Sequence, residues 1–287
     1  MKVTLWGTRG SLATPGPETA RYGGNTSCVG VRGSEGTVLI LDAGTGIRRL
    51  AATLDATVRR VDILLTHLHM DHIQGLGFFA PLYRPDIAVH IWGPAGSKLT
   101  LRERLMRYLS PPLFPVCLRE LPSEITLHEV PCGEVDIGEF RVSSALVCHP
   151  GPTVGYRVVE AGGGVLTYLP DHEPALGAQP FPSLPRAWTS GGALAAEADL
   201  LIHDSQYDTH QYCAHVGWGH SSLLQSLDSQ RSPTRSTSCR FITIRATPTP
   251  TSIGCSARRS RPPSRPIGSL PVGKARRSKS EASVRLR

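Results

Sequence analysis

One short stretch of the chain, residues 61–77 with the sequence VDILLTHLHMDHIQGLG, constrains the fold more than any other. It opens with an apolar run that is typical of a buried β-strand. Four side chains with metal-binding chemistry follow within six residues, in the spacing H-x-H-x-D-H: His67, His69, Asp71 and His72. Imidazole and carboxylate groups together suit zinc or a similar transition metal. The pattern therefore predicts a metal site on a loop after a strand, and a solvated histidine-rich turn is the alternative.

The H-x-H-x-D-H spacing resembles the signature of the metallo-β-lactamase fold hydrolases. The resemblance implies an α/β fold, a four-layer αββα sandwich, with a binuclear metal centre. His67 and His69 would bind one ion, and Asp71 and His72 would bind the second. The implied cofactors are two divalent metal ions, zinc in the first place, with manganese and iron as alternatives. The motif says little about the substrate, because one fold hosts many reactions.

Glycine-rich segments near the N-terminus narrow the resemblance to one branch of these hydrolases. The segments WGTRGS at 6–11, GGNTSC at 23–28 and DAGTG at 42–46 are also simple turn sequences when each is taken alone. Together they resemble the branch that includes ribonuclease Z and compact cyclic-phosphodiester hydrolases. In that branch the last of these loops packs under the metal site, so Asp42 is expected to have a structural role.

Two later strand ends supply the remaining ligands that the resemblance implies. His149 stands at a strand end before a Pro-Gly turn and corresponds to the third histidine of the first metal site. Asp171 corresponds to the aspartate that bridges both ions, since a carboxylate has two oxygens. His172 is expected to support the site without binding metal. His203 and Asp204, at the end of another predicted strand, are expected beside the site.

The segment GWGHSS at 217–222 resembles a proton-donating segment of the same branch. His220 is the expected general acid, and Asp71 is also assigned to the catalytic residues. The resemblance implies that a metal-bound hydroxide attacks phosphorus while His220 protonates the leaving oxygen. The expected activity is hydrolysis of a small phosphodiester or cyclic phosphate. Hydrolysis of a carboxylic ester or a thioester on the same metal site is the alternative.

Other parts of the body predict ordinary structure or bear on the substrate. Apolar residues at helical spacing predict a helix over residues 47–61. His90 and His128 lie in alternating strand patterns and are expected to be structural. Only 22 positions separate His149 from Asp171. The tRNA-processing members of the branch carry a long flexible arm in this interval, so its absence favours a small-molecule substrate and makes a nucleic-acid partner unlikely.

The composition changes near residue 227. Residues 228–287 hold 14 of the 31 basic residues and 2 of the 23 acidic ones, with almost no apolar periodicity. We interpret residues 1–227 as the hydrolase domain and residues 228–287 as a disordered basic tail. A natural tail that binds nucleic acid is the alternative. Such a tail is expected to interleave aromatic residues with arginine, but no aromatic residue follows Phe241.

The tail lacks a segment similar to L-F-H-H-D-P, with which the branch supplies the last ligand of the second metal. All 11 histidines lie at or before His220. With G or C assumed at third codon positions, the message read in a shifted frame from the last base of the Phe241 codon encodes His-His-(His or Asp)-Pro. We therefore interpret the tail as a frameshift product and the fold as incomplete at its C-terminus. An inactive derivative without that ligand is a further functional alternative.

The remaining expectations concern location and assembly. The chain has no run of eighteen apolar residues and no N-terminal apolar stretch of signal-peptide length. Its seven cysteines are odd in number and include no C-x-x-C pair. These features predict a cytoplasmic protein without a membrane partner, and a homodimer is left open.

Overall fold

A computed structural model describes residues 1–130, 133–177, 189–228, 240–244 and 282–285. Seven strands form the first sheet: β1 (Lys2–Gly7), β2 (Cys28–Arg32), β3 (Val38–Leu41), β4 (Arg60–Leu64), β5 (Ala88–Pro94), β6 (Glu124–Val130) and β13 (Ala282–Arg285). Their order in the sheet is β13-β1-β2-β3-β4-β5-β6. Strands β3 to β6 are parallel, whereas β13, β1, β2 and β3 pair in antiparallel fashion.

Six strands form the second sheet: β7 (Gly133–Ile137), β8 (Phe140–Leu146), β9 (Val154–Glu160), β10 (Val165–Leu169), β11 (Leu200–Asp204) and β12 (Arg240–Ile244). Their order is β12-β11-β10-β9-β8-β7. The hairpins β7-β8-β9-β10 are antiparallel, whereas β10, β11 and β12 are parallel. In each sheet, parallel strands therefore send their carboxyl ends to one edge.

Short helices connect the strands. The α-helices are α1 (Ile47–Ala51), α2 (Met70–Ile73), α3 (Leu101–Met106), α4 (Gly192–Ala195), α5 (Thr209–Ala214) and α6 (Leu223–Asp228). Single turns of 3-10 helix cover Pro17–Thr19, Leu76–Phe78, Ala80–Tyr83 and Leu118–Glu120. Among the described residues, no helix has the length and apolar character needed to cross a membrane.

Strand β3 shows why the domain is layered, because all four of its residues are buried. Leu39 and Leu41 point to one face, where they pack in the core between the two sheets with Tyr156 and Ile202. Ile40 points to the other face and packs in the core with Ile47 of α1. A strand buried on both faces needs cover on both sides, as is usual for parallel strands.

The outer face of the second sheet is covered in the same way. Leu194 of α4 packs there with Leu169 and Leu201, from β10 and β11. The order of layers is therefore helices, first sheet, second sheet, helices. This confirms the predicted four-layer α/β sandwich.

Two expectations differ from the structure. The helix predicted over residues 47–61 ends at Ala51, and β4 begins at Arg60. The Thr53 hydroxyl donates to the carbonyl of Leu50 at 2.7 Å, and such local side-chain bonds compete with helix continuation. Within the tail, residues 240–244 and 282–285 form strands β12 and β13, which differs from the expected disorder there. Residues 229–239, 245–281 and 286–287 lie outside the described part of the chain.

The core between α1 and the first sheet provides a test of this architecture. Ile63 of β4 is fully buried in that core. Replacing it with Ala should lower the free energy of unfolding by about 2–5 kcal/mol, because a cavity would remain. Urea unfolding followed by circular dichroism measures the loss. Leu146 is 65% exposed, so Leu146→Ala should change stability by less than about 0.5 kcal/mol. Equal losses in the two variants would contradict the layering.

Candidate metal centre

The predicted ligand loop lies at the carboxyl end of β4. Beyond the strand, the amide of Leu65 donates to the carbonyl of Trp92 at 2.8 Å and prolongs the pairing with β5. The chain then turns, and α2 begins after His69, which is its N-cap residue. Asp71 and His72 fall in the first turn of α2 and are buried. The strand and the helix thus hold the whole H-x-H-x-D-H segment in one place.

The first ligand cluster consists of His67, His69, His149 and Asp171, whose ligand atoms all lie within 4.8 Å of one another. Nδ1 of His69 is 3.1 Å from Nε2 of His149. Nε2 of His67 and Nε2 of His149 are each 3.7 Å from Oδ2 of Asp171. The structure therefore brings together the four residues that the sequence predicts for the first metal.

A second ligand cluster shares Asp171 with the first and adds Asp71 and His72. Nε2 of His72 is 3.3 Å from Oδ1 of Asp171 and 3.5 Å from Oδ2 of Asp71. Asp171 thus presents Oδ2 to one cluster and Oδ1 to the other. This is the arrangement expected of a carboxylate that bridges two ions.

Orphaned nitrogen atoms test whether these residues fit a metal. Nε2 of His67 and Nε2 of His72 are both buried and lack a hydrogen-bond partner. Buried polar atoms in folded proteins are nearly always paired. Both nitrogens face carboxylate oxygens at the centre of the two clusters. Neutral imidazole and carboxylate are the donors that divalent transition metals accept, so the residues present fit such a group.

The protonation of two histidines is consistent with a cation site. Burial and, to a smaller extent, the neighbouring His72 hold the pKa of His67 well below its usual value. Its ring is therefore neutral, as a metal ligand must be. Burial also lowers the pKa of His72, but the carboxylates of Asp171 and Asp42 outweigh it and raise that pKa well above its usual value. The two carboxylates therefore attract positive charge to this position, whether a proton or a metal ion carries it.

Asp42 fixes the orientation of His72 through the ring nitrogen that faces away from the ligand clusters. Its Oδ2 lies 2.7 Å from Nδ1 of His72 and accepts a hydrogen bond from the Tyr168 hydroxyl at 3.0 Å. Its Oδ1 accepts from the amide of Thr66 at 2.8 Å. A donated Nδ1 proton leaves Nε2 as the free ligand atom, the usual arrangement of a metal-binding histidine. The contact, which orients His72, is consistent with the structural role predicted for Asp42.

Backbone groups orient two further ligands, and no residue pattern predicted these contacts. Nδ1 of His149 is 2.7 Å from the carbonyl oxygen of Gly219, so its Nε2 faces the first cluster. The amide of Ser11 donates to Oδ2 of Asp71 at 2.7 Å. Ser11 has a φ of 64°, which is uncommon for a residue with a side chain. Since any residue type supplies a backbone amide or carbonyl, composition could not reveal these partners.

His220 lies beside the first cluster and forms a close pair with Asp204. Its Nδ1 is 2.7 Å from Oδ2 of Asp204, and its ring centroid is 4.9 Å from that of His149. Burial raises the pKa of Asp204 to about 6. Burial lowers the pKa of His220, but the Asp204 carboxylate outweighs it and raises that pKa to about 9. At neutral pH the two groups are therefore an imidazolium and a carboxylate.

The other histidines discussed from the sequence lie outside both clusters. Nε2 of His172 is 2.7 Å from the carbonyl of Ser190, and its backbone amide donates to Asp204. Nδ1 of His203 is 2.7 Å from the carbonyl of Asp204. His90 and His128 contact each other on neighbouring strands, with 2.9 Å between Nδ1 and Nε2. None of these four belongs to either ligand group found among the described residues.

Comparison with known proteins places this geometry in a family. Residues 37–231 match the family model described as the beta-lactamase superfamily domain. A ribonuclease Z of Haloarcula marismortui is 28% identical over 165 residues, which cover 56% of this chain and 48% of the relative. The chain therefore spans about half the length of that curated relative.

Solved structures share the fold. The short form of human tRNase Z superimposes with a TM-score of 0.61 at 23% identity, covering 86% of this chain and 93% of that chain. A diphosphatase from the PhnP family superimposes with a TM-score of 0.58 at 18% identity, covering 86% of this chain and 87% of that chain. At such low identity these likenesses establish the fold alone.

The two clusters predict a specific pattern of metal content. His67→Ala and Asp171→Ala should lose bound zinc, because each removes a donor that lies between other ligand atoms. His90→Ala and His128→Ala should bind zinc as the unaltered protein does, since neither residue reaches a cluster. Elemental analysis after dialysis against zinc measures the stoichiometry. Normal zinc content in the Asp171 variant would exclude the bridging role.

The His220–Asp204 pair predicts a shifted titration in protein stripped with a chelator. The His220 ring should keep its proton until the pH rises through about 9. Asp204→Asn removes the carboxylate that opposes burial, so the pKa of His220 should fall and the proton should be lost at lower pH. Nuclear magnetic resonance of the imidazole signals measures both values. A titration unchanged by Asp204→Asn would show that the pair does not control His220.

Proposed function

Because the chain belongs to the beta-lactamase superfamily, with residues 37–231 matching its domain, we propose that it is a metal-dependent hydrolase that cleaves a small phosphodiester or cyclic phosphate. One observation carries the proposal. Two ligand clusters adjoin at Asp171, and the His220 ring, paired with the Asp204 carboxylate, lies beside the first of them. The two clusters provide a place for two cations, and the His220–Asp204 pair provides a proton donor.

We assign the ions to the residues of the two ligand clusters. His67, His69, His149 and Oδ2 of Asp171 would hold the first ion. Asp71, His72 and Oδ1 of Asp171 would hold the second. When bound, divalent ions supply Lewis acidity that lowers the pKa of water toward 7 and offsets negative charge on a phosphoryl group. Zinc fits this nitrogen and oxygen set, which manganese and iron can also use.

The chain's own groups supply orientation and a proton. The Ser11 amide holds Oδ2 of Asp71, so this carboxylate is fixed where it can orient an attacking water. His220 lies 2.7 Å from Asp204. Burial lowers the pKa of His220, but the Asp204 carboxylate outweighs it and raises that pKa to about 9, so the ring can donate a proton at neutral pH. An alkoxide leaving group requires protonation in the transition state, whereas a thiolate requires it far less because thiols have a pKa of about 8.5. A maintained proton donor therefore favours esters with an oxygen leaving group over thioesters.

The short hairpin between the ligands His149 and Asp171 supports a small substrate. Strands β9 and β10 are joined by residues 161–164 alone, and they fill the interval between His149 and Asp171. This interval leaves no space for an inserted arm that could grip a folded RNA. The ribonuclease Z relatives keep RNA open as the alternative substrate.

The second cluster supports a further part of the proposal, that the tail is a frameshift product. It has three ligand residues among the described part of the chain, against four in the first cluster. Strand β12 lies parallel to β11, with Ile244 opposite Asp204. The carboxyl end of β12 therefore lies at the same edge of the sheet as Asp204, which pairs with His220. The DNA sequence of codons 225–245 tests this: a reading frame without a slip would leave the basic tail as native.

Activity assays test the proposal through the leaving group. The zinc-loaded protein should hydrolyse bis-p-nitrophenyl phosphate and a 2′,3′-cyclic nucleotide faster than a thioester, and chelation should abolish both activities. His220→Ala should lower kcat by about 10²–10⁴ with the cyclic nucleotide, whose alkoxide needs a proton. It should have far less effect with bis-p-nitrophenyl phosphate, since nitrophenolate leaves without protonation.

Controls separate the alternatives. The His220 variant should keep its metal content, because His220 belongs to neither ligand cluster. Faster hydrolysis of the thioester would favour the thioesterase alternative. Faster cleavage of a precursor tRNA would favour the nuclease. Bound metal without turnover of any of these substrates would favour the inactive derivative.

A further inference from the structure

Glu173 is a fully buried carboxylate for which the proposed reaction has no direct use. None of the ion pairs found among the described residues includes it, so hydrogen bonds must offset the cost of its burial. The Tyr212 hydroxyl donates to Oε1 at 2.8 Å. The amides of Gly217 and Gly219 donate to Oε2 at 3.0 and 2.9 Å. All three donors belong to one segment, residues 212–219.

The two glycines show that the loop is shaped around this carboxylate. Gly217 and Gly219 have φ values of 87° and 81°, in the left-handed region that residues with side chains seldom adopt. This conformation turns both amides toward one point and forms an anion-binding concavity of backbone N–H groups. The concavity is occupied by the chain's own Glu173, and the loop between the glycines exposes Trp218 to solvent.

The same loop touches both proposed functional histidines. The carbonyl of Gly219 lies 2.7 Å from Nδ1 of His149. A Cβ atom at Gly219 would lie 2.7 Å from that nitrogen and 2.8 Å from Cα of His149, so the loop packs directly on the ligand. His220 is the next residue and pairs with Asp204. A displacement of Gly219 would therefore move the hydrogen-bond partner of His149 and the backbone that leads into His220.

Three consecutive residues, 171–173, each contact a ligand of the centre or a residue next to one of the two proposed functional histidines. Asp171 lies between the clusters. The backbone of His172 donates to Asp204 through its amide and accepts from the Ser221 hydroxyl through its carbonyl. The amide of Glu173 donates to the carbonyl of Cys148 at 2.9 Å, next to His149. Glu173 is therefore anchored to the strand ends while its side chain holds the loop.

We propose that Glu173 is a positioning residue that sets the orientation of His149 and His220 by holding the loop of residues 217–219. This inference rests on the proposed metal centre. The carboxylate holds the amide of Gly219, and the carbonyl of the same residue accepts the Nδ1 proton of His149 and leaves Nε2 as the ligand atom. Gly219 also directly precedes His220, so that one buried group aligns a metal ligand and a proton donor.

Cobalt binding to the full chain tests the proposal without a substrate. Glu173→Ala removes the acceptor, and Glu173→Asp keeps the charge but shortens its reach by one methylene. Both should weaken Co²⁺ affinity by about 10–100-fold, the usual effect of losing an outer partner of a ligand, and should change the visible spectrum of the bound ion. Glu173→Gln should stay within a few-fold of the unaltered protein, since its amide oxygen accepts from both glycines while its NH₂ donates to Tyr212.

The matched control is Glu160, another buried carboxylate, which accepts from the Ser34 amide and pairs with the Met1 ammonium. Glu160→Ala should lower stability and leave Co²⁺ affinity and spectrum unchanged. Circular dichroism establishes that each variant is folded, and if Glu173→Ala is not, the Asp and Gln variants decide. Unchanged affinity and spectrum in folded Glu173→Asp would overturn the proposal. Because the readout is metal binding, a protein that binds Co²⁺ but cleaves no phosphodiester would refute only the proposed function.

Discussion

The burial of several ligand groups at one point is the constraint on which the rest of this structure depends. His67, His72 and Asp171 are each less than a tenth exposed and lie within a few ångströms of one another. Removing such groups from water costs free energy unless a hydrogen bond or an opposite charge compensates. Each buried nitrogen or oxygen of these groups therefore needs a partner. The surrounding elements supply partners to the atoms that face away from the centre, which we call the outer atoms.

The partners are distributed unevenly around each ligand, and this asymmetry identifies the centre. The outer nitrogen of His72 is bound to Asp42, and the outer nitrogen of His149 is bound to Gly219. The inner nitrogens of His67 and His72 have no hydrogen-bond partner. A structural hydrogen-bond network would satisfy both sides of each ring. A histidine ring whose outer nitrogen is hydrogen-bonded and whose inner nitrogen has no partner is typical of a ligand arranged for a cation.

The sequence predicted those parts of the fold and site that depend on local patterns. The H-x-H-x-D-H spacing lies on one loop and one helical turn, so residue type and spacing alone indicated His67 to His72. His149 and Asp171 required the family resemblance, because nothing local connects two strand ends that are far apart in the chain. The contact of Ser11 with Asp71 spans 60 positions and uses a backbone amide, which no residue type reveals. The predicted helix over 47–61 was too long because apolar spacing reports which residues are buried but not where the backbone leaves the helix, which happens after Ala51.

Packing of the two sheets brings the ligands of the centre together. The first sheet carries the loop with His67 and His72, and the second sheet delivers Asp171. Two buried tyrosines of the second sheet cross to the first sheet: Tyr156 donates to the carbonyl of Leu65 at 2.8 Å, and Tyr168 donates to Asp42 at 3.0 Å. Both rings also pack in the core between the sheets. Apolar packing therefore sets the distance between the sheets, and the tyrosine hydroxyls fix that distance at the level of the ligands. An ion bound by ligands from both sheets would in turn stabilise the packed state over the unfolded chain, because the unfolded chain does not hold these ligands together.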